Sequence, residues 1–160
     1  MNERKYLVEI QNERLSFFTP VGEVKALNDV SLYVKEGEVL GIVGESGSGK
    51  SVTAYSLMGL VPYPGRLIDG NLYFNGHHVN TMTEREMQKM RGNEVSIIFQ
   101  DPMTSLNPVY TIGNQIREVI MLHTNRNKKQ ANERARELLE LVGINEPEKR
   151  MKQYPHELSG

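Results

Sequence analysis

The sequence predicts an α/β fold, and three observations carry that reading. A nearly continuous apolar run, Val39-Leu40-Gly41-Ile42-Val43, has the length and composition of a strand buried on both faces. It leads directly into a glycine-rich loop. Residues 51–60 beyond that loop suit a helix. Strand, loop and helix in this order belong to α/β architectures rather than to bundles or sandwiches.

The remaining elements follow in chain order. Residues 6–10 read as a short strand, and Val30, Leu32 and Val34 share one face of a second by period-two spacing. Gly37 marks a turn before the first buried-strand candidate. After Pro62 and Pro64, the turn signals Asp69-Gly70 and Asn75-Gly76 bracket a strand at Leu72-Tyr73-Phe74. Thr83-Glu84-Arg85-Glu86 matches a capping box, so a short helix should start there and stop near Arg91-Gly92. Residues 95–99 form a second buried-strand candidate. Further on, Ile112, Ile116, Val119 and Ile120 recur at helical spacing, and so do Ala131, Ala135, Leu138, Leu139 and Val142. Gly143 sits where the second of these helices would end. The expected organisation is a mixed α/β part over residues 1–108 and a helical subdomain over 109–160.

Composition narrows the classes. The chain has 160 residues, enough for one modest domain with its own core. Nineteen Lys and Arg nearly balance twenty Asp and Glu, so the clustered positive excess of a nucleic-acid footprint is missing. No apolar run approaches the ~18 residues of a membrane span, and no signal-peptide pattern follows Met1. There are no cysteines for disulfides or thiolate metal sites. The simplest expectation is a cytoplasmic protein that meets a membrane only through a partner. His77-His78 follows an Asn-Gly turn and reads as a solvated loop rather than a metal site. Glu133, Glu137 and Glu140 among Lys128, Lys129, Arg134 and Arg136 read as a solvated, ion-paired helix face. Met82, Met87, Met90 and Met103 suit either an adaptable contact surface or ordinary core filling.

The sharpest motif is Gly44-Glu45-Ser46-Gly47-Ser48-Gly49-Lys50-Ser51, a full match to G-x-x-x-x-G-K-[ST]. Glycines let backbone N–H groups close on phosphate oxygens as an anion nest. The helix that follows presents its positive end to the same oxygens. Lys50 would reach the β and γ phosphates, the Ser51 hydroxyl would bind Mg²⁺, and Thr53 lies one turn into the helix. ATP with Mg²⁺ is the expected ligand, held by Gly44 to Ser51 and by Thr53.

Three further segments resemble ABC ATPases, in the order and at the distances of that family. Phe17-Phe18 resembles the site of its adenine-stacking aromatic, with Phe17 the first choice and Phe18 the fallback. Ile97-Ile98-Phe99-Gln100-Asp101-Pro102 resembles the Q-loop, whose glutamine, here Gln100, touches Mg²⁺ and the attacking water and senses the membrane partner. Leu158-Ser159-Gly160 resembles the opening of the LSGGQ signature, in which Ser159 and Gly160 would contact the γ-phosphate held by another subunit. The stretch Phe99-Gln100-Asp101-Pro102-Met103-Thr104-Ser105-Leu106-Asn107-Pro108 and residues 154–160 are similar to ATPases of dipeptide, oligopeptide and nickel importers.

That resemblance implies a P-loop NTPase core with a β-rich N-terminal part and an inserted helical subdomain, incomplete at the C-terminus. It implies a peripheral subunit on the cytoplasmic face of the cell membrane. Such a subunit pairs with a second ATP-binding subunit and docks on integral membrane permeases, while an extracytoplasmic substrate-binding protein delivers peptide. A nickel importer ATPase and a soluble ABC protein without a permease stay open as alternatives. The family's Mg²⁺-binding Asp and water-polarising Glu follow the signature, and so does its switch histidine. Asp101 stands before the signature and belongs to the Q-loop instead. This 160-residue piece is therefore expected to bind nucleotide and to hydrolyse it very poorly by itself.

Overall fold

A hairpin of two long strands starts the molecule. In the computed structural model, which describes residues 6–99 and 105–158, β1 (Val8–Thr19) pairs antiparallel with β2 (Gly22–Val34). Helix α1 (Lys50–Leu57), strand β3 (Gly65–Phe74), the two-residue β4 (His77–His78) and helix α2 (Glu84–Met90) follow. The sheet has the order β2-β1-β3-β4 and is antiparallel throughout. Helices α3 (Ile112–His123), α4 (Lys128–Leu141) and α5 (Pro147–Arg150) complete the elements used below. The chain divides into two compact units, Met1–Val95 and Ser96–Gly160.

In the first unit Ile10 sits at the centre of a cross-strand row, paired with Leu32 on β2 and Leu72 on β3. Ile10, Leu72, Phe74, Val79, Met87 and Met90 form the core. The methionines of α2 are therefore core filling, and Met82 packs against them. Helix α2 starts as its sequence asks. The Thr83 hydroxyl accepts from the Glu86 N–H, and the Glu86 carboxylate accepts from the Thr83 N–H at 2.7 Å. The Thr83 hydroxyl also donates to the Glu86 carboxylate at 2.7 Å, and this bond first, with that from the Thr83 N–H, holds the Glu86 carboxyl below its ordinary pKa. Asn80 seals an edge of β3, its side chain accepting from the Leu72 N–H and donating to the Gly70 carbonyl oxygen.

Several expectations need correction. The first strand runs to Thr19 rather than ending near Ile10, because β2 and β3 flank it on both sides. Asn75-Gly76 is a turn, with both residues at positive φ, as a tight hairpin demands. Asp69-Gly70 is not a turn. It lies inside β3, where the register with β1 shifts between Gln11 and Arg14. Gly70 is required there, since a Cβ would fall 2.7 Å from the Glu13 Cα. The two histidines form β4 rather than a loop, and His78 stacks on Tyr73 with ring centroids 4.8 Å apart.

The largest departure concerns the two buried-strand candidates. Residues 39–43 form no strand and have no ladder partner, with Val39 97% and Val43 94% exposed. Residues 96–99 likewise form no strand, Ile98 is 94% exposed, and Val95 makes an isolated bridge to Arg91. A parallel strand needs a hydrogen-bonded neighbour as well as apolar side chains, and neither run has one among the described residues.

In the second unit Thr111 caps α3, and the first N–H groups of that helix donate to the 151–153 segment. Gly113 is needed for that approach, because its Cβ would meet the Met151 carbonyl oxygen at 2.7 Å. Helix α4 begins with a capping box of Asn127 and Gln130 that the periodicity alone does not reveal. Ile120, Ala131, Ala135 and Met151 form the second core, with Ile116, Leu138 and Leu139 against it. Val119 and Val142, expected inside, face solvent. Arg136 pairs with Glu140 at 2.6 Å and Arg134 with Glu137 at 3.0 Å, so the charged face of α4 is solvated and ion-paired. Gly143 ends the helix at positive φ, its N–H donating to the Glu140 carbonyl oxygen.

Candidate functional site

The glycine-rich loop enters α1 through two left-handed residues, Gly47 at φ 82° and Gly49 at φ 91°. Side chains with a Cβ avoid that region, so the bend needs these glycines. Gly49 is the N-cap of α1 and offers no side-chain acceptor. Gly49 thus does not compete with an external anion for the first N–H groups of the helix. Gly49 also rests on the hairpin: a Cβ there would fall 2.6 Å from Leu27 Cδ2 and 2.9 Å from the Ala26 carbonyl oxygen. The loop is thus seated directly on β2.

Lys50 folds back over the loop. Its Nζ donates to the Gly44 carbonyl oxygen at 2.8 Å, the Glu45 carbonyl oxygen at 2.7 Å and Ser48 Oγ at 3.2 Å. The ammonium thereby occupies the bowl of the loop and satisfies carbonyl groups that would otherwise face water. The Ser48 N–H donates to the Glu45 carbonyl oxygen, and Ser46 lies between them on the exposed rim. Ser51 is exposed at the first turn of α1. Thr53 is buried, and its hydroxyl donates to the Gly49 carbonyl oxygen at 3.1 Å, which braces the helix start.

Phe17 and Phe18 lie on opposite faces of β1. The strand is regular from Leu15 to Phe17 in its pairing with β3, so Leu15 and Phe17 share one face. Leu15 pairs with Leu27, the residue that touches Gly49. Phe17 therefore belongs to the face that carries the loop. Phe18 points the other way, with the Arg66 guanidinium 5.6 Å from its ring centroid. Gln100, Asp101, Ser159 and Gly160 lie outside the described residues.

One buried group was not foreseen. Glu13 sits in the bulge of β1 with no exposed surface, and neither carboxylate oxygen has a hydrogen-bond partner. Burial raises its pKa. The neighbouring Ser56 hydroxyl offsets this only in part, since its proton goes to the Thr53 carbonyl oxygen at 2.8 Å. No sequence signal separates this glutamate from an exposed one, because the bulge that turns it inward comes from strand pairing.

Comparison with known proteins places this loop in a wider setting. The family model described as ABC transporter matches residues 27–160. The chain belongs to the ABC transporter family. It is 50% identical over 154 residues to the oligopeptide transport ATP-binding protein OppD of Escherichia coli K12, covering 96% of this chain and 45% of that protein. It is 51% identical over 155 residues to OppD of Bacillus subtilis 168, again over 96% of this chain and 43% of the relative. The dipeptide transport ATP-binding protein DppD of Escherichia coli K12 is 47% identical over 96% of this chain and 47% of its own length. The chain thus spans about half the length of the curated relatives it matches. Among solved structures, the dimeric ATP-binding cassette MJ0796 in a post-hydrolysis state with ADP and phosphate superposes with a TM-score of 0.80 at 25% identity. That match covers 95% of this chain and 63% of the cassette. The expected fold class is therefore correct, including the P-loop core.

Proposed function

We propose that this ABC family chain holds the triphosphate of ATP and serves in an ATPase subunit that powers peptide import. One observation carries the reading: a glycine-lined loop with Lys50 in its bowl, leading into an uncapped helix N-terminus. Triphosphate oxygens offer Lys50 stronger acceptors than the Gly44 and Glu45 carbonyl groups do, because a charge-assisted bond between ions exceeds one to a neutral carbonyl. Lys50 then turns from the loop to the β and γ phosphates. Ser51 and Gln100 are the proposed ligands for Mg²⁺, which supplies charge neutralisation between those phosphates. The exposed Ser51 hydroxyl fits that role, since nothing in the described residues covers it. Phe17, on the loop-bearing face of β1, is the proposed platform for adenine. Ser159 and Gly160 are proposed to meet the nucleotide of a second ATP-binding subunit.

The printed names of the relatives, oligopeptide and dipeptide transport ATP-binding proteins, support peptide as the cargo. No helix among the described residues is long and apolar enough to cross a membrane. In the proposed assembly, therefore, permease subunits form the path through the cytoplasmic membrane and a binding protein outside delivers the cargo. The reading is tested by uptake of a labelled oligopeptide in cells carrying the complete gene with Lys50→Ala. Uptake should fall to background. Uptake equal to the unmodified gene would overturn it.

A further inference from the structure

Phe17 lies on β1, between β2 and β3, so its ring should be hemmed by a side chain on each flanking strand. On β2 that neighbour is Val24. On β3 it is Gly65, which has no side chain. The ring occupies the vacant space: a Cβ on Gly65 would fall 2.8 Å from Phe17 Cε1. The same Cβ would lie 2.6 Å from Val61 Cγ1 and 2.9 Å from the Pro62 carbonyl oxygen. Val61 and Pro62 close the space behind, so a side chain at 65 would press on the Phe17 ring as well as on Val61. The Gly65 N–H donates to the Pro62 carbonyl oxygen at 2.8 Å, which fixes the backbone on that side. Gly65 is not among the glycines at positive φ. Its backbone would accept alanine, and the need for glycine is one of space alone.

We infer that Gly65 is a positioning residue for nucleotide binding: it lets the Phe17 ring lie over β3, which sets the plane against which a base stacks. The inference rests on the proposed role of Phe17. It follows from where that ring stands. Leu15, two residues or about 7 Å along β1, pairs with the Leu27 that supports Gly49. Stacking falls steeply with tilt and offset of the two rings, so a platform pushed aside loses contact with the base while the phosphate loop is untouched.

The test is calorimetric titration of the chain with MgATP and, separately, with magnesium tripolyphosphate, which has no base. Gly65→Ala should weaken MgATP about tenfold, the size expected for one lost base stack. It should leave tripolyphosphate within about twofold. In a Phe17→Ala background, adding Gly65→Ala should change MgATP affinity less than about twofold, because the group it acts through is gone. Equal weakening of both ligands, no weakening of MgATP, or an undiminished Gly65→Ala effect without Phe17 would each overturn the inference. If Phe17→Ala leaves the ratio of the two affinities unchanged, the stacking role itself falls, and this inference with it. Should Gly65→Ala fail to fold, the pair Val61→Ala with Gly65→Ala removes one of the three collisions and gives the same readout.

Discussion

Leu72 and Val43 are both apolar residues in apolar stretches, yet the structure treats them oppositely. Leu72 is paired with Ile10 and is 1% exposed, while Val43 is unpaired and almost wholly in solvent. Hydrophobicity is similar in the two places. What differs is a neighbouring strand: β1 lies beside β3, whereas residues 39–43 have no ladder partner among the described residues. Burial in a sheet is thus a property of the pair, and an apolar run is only half of the requirement.

Substitutions can break or sharpen this contrast. The largest effect is expected at Leu72→Ala, which should destabilise the first unit by about 3 kcal/mol in denaturant unfolding. Next comes Glu13→Met, which replaces a buried, unpartnered carboxyl by an apolar chain of similar length. Since burial raises the folded-state pKa of Glu13, the contribution of this group to stability is most favourable below the unfolded carboxyl value of 4.5. That contribution is lost as pH rises through the raised value. Glu13→Met should therefore gain roughly 2 kcal/mol at pH 8, and the gain should shrink towards pH 4.5 in melts across that range. Thr83→Ala should cost about 1 kcal/mol through loss of the α2 cap. Val43→Thr should alter stability by less than about 0.5 kcal/mol, as befits a solvated residue. A Val43→Thr loss as large as that of Leu72→Ala would show that residues 39–43 are packed.

Much of this was legible in the chain. Thr83 to Glu86 announced a cap, Asn75-Gly76 a hairpin and Ala131, Ala135 and Leu138 a buried helix face, because each is a local signal answered by local contacts. The phosphate loop was legible for the same reason: its bend is written in Gly47 and Gly49. What escaped was set by pairing between distant segments. The bulge that buries Glu13, the extension of β1 to Thr19 and the seat of Phe17 on Gly65 all depend on β3 lying beside β1. The clasp of Lys50 on its own loop depends on side-chain geometry that no motif specifies.

The account stands on the loop from Gly44 to Ser51 gripping a triphosphate. Titrating the chain with MgATP by calorimetry tests this directly, with Lys50→Ala as the comparison. The expected result is saturable binding that weakens at least tenfold on Lys50→Ala, the loss of a charge-assisted contact to phosphate. Absence of saturable binding to the unmodified chain, with its fold verified by circular dichroism, would contradict it. So would equal affinity in the two proteins.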